Sequence, residues 1–150
     1  MLLRTHLALI VLVILLFITH VQNQLLFAVV ALGASFIPDI DTGFSTLGKQ
    51  KGFRILQFFV RHRGFIHSLT FCSALTLLLV IFLPIIALPF FLGYAVHLFL
   101  DSFTLEGIQP FWPYKKTSNW KFKTGSLVET SIFLFLILID IALFFFIFLF

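Results

Sequence analysis

Between Leu127 and Phe150 the only charged side chains are Glu129 and Asp140, and most of the rest is leucine, isoleucine or phenylalanine. An apolar run of about 20 residues is what a helix needs to cross a bilayer, where every backbone N–H and C=O must be satisfied within the segment. Four further hydrophobic segments precede this one: Leu2 to Thr19, Gln22 to Ile37, Phe65 to Leu83 and Ile85 to Phe103. The pattern predicts an all-α fold, a polytopic membrane helical bundle of about five transmembrane helices. Pro89 should kink the fourth. Composition agrees: 61% of residues are hydrophobic and 11% charged, against roughly half and a quarter in a soluble domain. The polar loops, Pro38 to Gly64 and Leu105 to Ser126, are too short to enclose a second core, so residues 1–150 read as one membrane-embedded domain.

Orientation follows from the basic residues. Arg4 precedes the first segment; Lys49, Lys51, Arg54, Arg61 and Arg63 lie in the first long loop; Lys115, Lys116, Lys121 and Lys123 lie in the second. Five spans put the N-terminus and both long loops on one side, so every lysine and arginine sorts to one face. The positive-inside rule makes that face, and the N-terminus, cytoplasmic. The net charge of +4 and pI of about 9.6 therefore point to anionic lipid rather than nucleic acid. Arg4 and the run from Leu7 to Ile18 have the outline of a signal peptide, but Thr19 to Gln24 lacks a small-x-small cleavage site, and the segment reads as an uncleaved first span. Cys72, the single cysteine, cannot form an intrachain disulfide. The expected location is the inner (cytoplasmic) membrane, multi-pass.

With so few acids and histidines, each can be placed. His6 lies just inside the first span, Asp39 and Asp41 follow the second, and His62 and His67 bracket the entry to the third. His97 and Asp101 close the fourth, and Glu129 opens the fifth. All of them fall at the same membrane level, on the cytoplasmic side; His20, Glu106 and Asp140 do not. His97 and Asp101, four apart, share a helix face. Asp39 and Asp41 point the same way if the chain is extended there. Ionisable groups within spans cost about 2.5–3.5 kcal/mol each and usually face the bundle interior. Converging carboxylates repel one another unless a cation joins them. Mixed imidazole and carboxylate ligation suits zinc, with manganese or iron as alternatives, and the number of ligands allows one to three ions. The candidate metal ligands are His6, Asp39, Asp41, His62, His67, His97 and Asp101.

At these residues the sequence resembles the YdjM-type family of inner-membrane proteins, described as metal-dependent hydrolases. The resemblance runs in order through His6, Leu32 to Asp41 with Ser45 and Gly48, the block His62-Arg63-Gly64-Phe65-Ile66-His67-Ser68, Gly93 to Asp101, Phe103 to Pro113, and Gly125 to Glu129. It covers roughly residues 1–130. Ile66 stands where the family usually has threonine. The order of histidines and aspartates is also similar to that of soluble zinc-dependent phospholipase C and related nucleases, which points to phosphoester chemistry.

The expected function is metal-dependent hydrolysis of a phosphoester on a lipid or lipid-linked substrate at the cytoplasmic face. The alternatives are a non-catalytic metal-binding scaffold or regulator, and a cation transporter. In the hydrolase reading the metal activates water. Arg63 pairs with phosphate oxygens through its planar fork. Glu129 is a further ligand or the general acid/base. Trp112, Tyr114 and Trp120 belong at the headgroup level, as interface anchors or as the rim of the site. Asp140 lies eleven residues beyond Glu129, about 16 Å along a helix, too deep for the same site. Oligomeric state and any protein partner are not legible in the sequence.

Overall fold

The computed structural model describes residues 1–41 and 64–149. They contain five α-helices: α1 (Leu3–Ile18), α2 (Gln24–Ser35), α3 (Leu69–Phe82), α4 (Pro84–Ser102) and α5 (Leu127–Leu149). A short 3-10 helix, Pro38–Asp41, follows α2. No strand occurs among the described residues; Thr104 with Phe122 and Ile108 with Ser118 form isolated bridges in the segment between α4 and α5.

The helix starts follow local capping chemistry. The Asn23 side chain accepts the N–H of Leu26 at 3.0 Å, which starts α2. Ser68 accepts the N–H of Phe71 at 3.1 Å and donates its hydroxyl to the Phe65 carbonyl at 2.6 Å. This cap starts α3 at Leu69 rather than at Phe65, so His67 lies in the turn before the helix and not within it. Pro84 occupies the first turn of α4, where its missing N–H costs nothing. The helix continues through Pro89 to Ser102.

α4 is the centre of the bundle. It packs on α2 and α3 and touches α1, while α1 packs on α2 and α5. Two apolar clusters fill the contacts: Ile10, Ile14, Phe27 and Ala31 between α1 and α2, and Ile66, Cys72, Tyr94, Leu98 and Ile108 between α3, α4 and the adjoining turns. The approach of α2 to α4 is close enough that a Cβ on Gly93 would stand 2.1 Å from the Ala31 carbonyl oxygen. Only glycine permits that spacing, as small residues do at interfaces between membrane helices.

α4, with 19 residues, and α5, with 23, are long and apolar enough to cross a membrane; α1, α2 and α3 are apolar but shorter. α5 buries only Glu129, Leu136 and Asp140. The rest of its surface exposes Leu134, Phe135, Leu138, Ile141, Phe144, Phe145 and Phe146 among others. A water-soluble protein rarely shows so broad an apolar face.

Candidate metal centre

The start of α1, the end of α2, the turn before α3, the end of α4 and the start of α5 meet at one end of the bundle. Asp101 is the hub. Its Oδ1 lies 3.4 Å from His6 Nε2 and 2.7 Å from the Met1 α-amine. Its Oδ2 lies 3.5 Å from His97 Nε2 and 3.7 Å from His67 Nε2. His97 Nε2 is also 3.6 Å from Asp39 Oδ1. The His6 and His97 rings lie against each other, tilted by 32°, with centroids 4.3 Å apart, and His67 meets His97 edge-on at 5.6 Å. His6, His67, His97 and Asp101 are all buried.

Two backbone carbonyls set the direction of the imidazoles. His97 Nδ1 is 2.8 Å from the Ser35 carbonyl, and His6 Nδ1 is 3.1 Å from the Leu2 carbonyl. A carbonyl oxygen only accepts, so each ring donates its Nδ1–H there and turns Nε2 toward the carboxylates. Those two Nε2 atoms are buried and make no hydrogen bond among the described residues. In the neutral imidazole each Nε2 is a lone pair facing carboxylate oxygens, an arrangement that repels unless a cation lies between. A histidine that donates one ring N–H to a carbonyl and presents the other nitrogen is the usual preparation for a metal.

The spacing supports the same chemistry. A charge-assisted N–H···O bond would measure about 2.7–2.9 Å. Atoms held roughly 2.0–2.2 Å from one zinc ion at tetrahedral angles stand about 3.3–3.6 Å apart. The separations between imidazole nitrogens and carboxylate oxygens run from 3.4 to 3.7 Å. Two overlapping donor sets result, His6–His97–Asp101 and Asp39–His67–His97, each with its ligand atoms within 4.8 Å of one another.

Residues 1–149 match the model of the YdjM inner membrane protein family. The chain belongs to that family. No curated protein and no solved structure matches it. Membership in the YdjM family places the chain in the inner membrane, consistent with its broad apolar exterior.

In this YdjM-family chain, five of the seven residues expected to hold metal come together: His6, Asp39, His67, His97 and Asp101. His62 and Arg63 lie outside the described residues, as do the basic residues from Lys49 to Arg61. The extended backbone on which Asp39 and Asp41 would point the same way is not what the chain adopts from Pro38 to Asp41. Pro38 opens a 3-10 turn instead, closed by the Ile40 N–H on the Ile37 carbonyl at 3.1 Å.

Glu129, expected as a ligand or acid/base group, is engaged elsewhere. Its Oε1 accepts the Leu2 N–H at 2.6 Å and the Thr5 hydroxyl at 3.1 Å, and its Oε2 accepts the Gly125 N–H at 2.6 Å. Sequence reasoning passed over several residues that shape the centre. Ser35 and Leu2 act through their carbonyls, which leave no trace in side-chain identity. Tyr94 donates its hydroxyl to the Ile66 carbonyl at 2.7 Å and so holds the turn that carries His67. Its one signal was a tyrosine in the middle of an apolar helix.

Proposed function

We propose that the chain is a five-span protein with its N-terminus in the cytoplasm, and that it hydrolyses a phosphoester of a lipid or lipid-linked substrate with a divalent metal, zinc by the chemistry of its donors. The observation that carries the reading is the pair of buried Nε2 atoms on His6 and His97, each oriented by a backbone carbonyl and aimed at Asp101. The sorting of lysine and arginine supports the topology. It lets the shorter helices α1, α2 and α3 serve as spans with their polar flanks at the interface. Family resemblance and the mixed imidazole–carboxylate donors support the hydrolase.

His6, Asp39, His67, His97 and Asp101 would hold the metal, with Asp41 and His62 as further candidates. When bound, the ion supplies Lewis acidity and lowers the proton affinity of a water molecule to near neutrality. Asp39 and Asp101 balance its charge. The Ser35 and Leu2 carbonyls keep the imidazoles in the tautomer that leaves Nε2 free to coordinate. Arg63, by its place beside His62 in the sequence, pairs with phosphate oxygens.

Metal analysis of the purified chain, followed by a panel of lipid phosphoesters assayed with His97→Ala and Asp101→Ala controls, tests the reading. Metal-dependent turnover lost in both variants supports it. Bound metal without turnover on any substrate favours a scaffold or a transporter, and cation flux into liposomes identifies the transporter. Absence of bound metal overturns the proposal.

A further inference from the structure

The shortest tertiary hydrogen bond near the centre, 2.6 Å, joins the Leu2 N–H to Glu129. α1 has no side-chain cap of its own: Leu2 stands at its N-cap and offers none. The first N–H groups of a helix need acceptors, and a carboxylate there also meets the positive end of the helix dipole. Glu129, which is 1% exposed, supplies that acceptor from α5. It caps its own helix as well. Ser126 accepts the Glu129 N–H at 3.3 Å, the forward half of a capping box, and Glu129 reaches back to the Gly125 N–H. One carboxylate thus caps two helices, an oxygen for each. Arg4 adds a second tie, donating to Thr130 at 3.0 Å.

Leu2 is the link to the metal centre. Its N–H is held by Glu129, and its carbonyl takes the first-turn N–H of Thr5 at 3.0 Å and the His6 ring nitrogen at 3.1 Å. Any shift of Leu2 therefore rotates or frees the His6 ring, whose other nitrogen faces Asp101. We infer that Glu129 is the positioning residue for His6: by capping α1 from α5 it fixes Leu2, and through Leu2 it aims His6 Nε2 into the metal centre. The inference rests on the metal reading above. It predicts a cost in metal affinity from a residue that touches no metal, of the size seen when outer partners of a ligating histidine are removed.

The test is Co²⁺ titration of the full-length chain in detergent, read by the absorption bands of the bound ion and by competition. His6→Ala weakens binding, and Glu129→Gln weakens it by about 10- to 100-fold. The glutamine amide can serve one helix start but turns an NH₂ donor toward the other. In the His6→Ala background, Glu129→Gln costs nothing more, which a general loss of packing would not produce. Thr5→Val removes one donor to Oε1 while keeping the side-chain shape. It lowers affinity by about 3-fold, again only when His6 is present, and serves where Glu129→Gln does not fold. Wild-type affinity in both Glu129→Gln and Thr5→Val, or losses that multiply in the double variants, overturns the inference and leaves the metal reading standing. A wild-type chain that takes up no Co²⁺ overturns both.

Discussion

Asp101 and Asp140 are both buried carboxylates on apolar helices, set in opposite surroundings. Asp101, at the end of α4, has the Met1 amine and three imidazole nitrogens within 4 Å. Asp140, well inside α5, has both oxygens buried with no hydrogen-bond partner among the described residues. It lies on the same stripe of α5 as Glu129 and Leu136, the side that packs on α1. α1 is apolar from Leu7 to Ile18. The contrast teaches that burial alone does not mark a site. A carboxylate becomes chemically informative when groups able to share a cation are gathered around it.

Substitution can break that contrast, and the largest effect falls on Asp101. Asp101→Asn removes the carboxylate charge of the His6–His97–Asp101 donor set and is expected to weaken zinc binding by more than the roughly 100-fold upper range of an outer-shell change, measured by competition with a chromophoric chelator. Retained affinity would dissolve the distinction between the two acids. Next is the scaffold: Gly93→Ala forces a Cβ against the Ala31 carbonyl and should cost up to about 3 kcal/mol, read as a fall in thermal midpoint in detergent. It should also weaken metal binding, because α2 carries the Ser35 carbonyl that orients His97. Asp140→Leu goes the other way. Relief of an unsatisfied buried acid should raise stability by about 1–2 kcal/mol with metal affinity unchanged; a drop in affinity would tie Asp140 to the centre. The smallest effect is Ser126→Ala, about 1 kcal/mol of destabilisation from the lost cap at the start of α5, seen by the same thermal scan.

Much of the fold was legible because apolar helices announce themselves by where apolar runs stop. The expected segments and the observed helices differ by a few residues at their ends. At the starts of α2 and α3 the differences trace to side chains that cap, Asn23 and Ser68, which a hydropathy window averages away. The pairing of His97 with Asp101 was legible from their spacing on one helix. The convergence of His6, Asp39 and His67 on that pair followed from helix ends sharing a level.

Other parts were hidden for physical reasons. Pro38 favours a tight turn as readily as an extended chain, so the course of the backbone that carries Asp39 was not set by the Asp-x-Asp spacing. The carbonyls of Leu2 and Ser35 belong to the backbone, and any residue there would supply them. Glu129 is different. Ser126-Leu127-Val128-Glu129 spells a capping box, and weighing that signature would have assigned its carboxylate to helix starts before chemistry.

The bond from the Leu2 N–H to Glu129 spans 127 residues of sequence. Because a chain emerges from the ribosome amino end first, α1 is made long before its cap exists. The amino-terminal histidine is therefore set in place only once the start of α5 has been synthesised, and a nascent chain halted short of residue 129 carries that side of the centre unfinished.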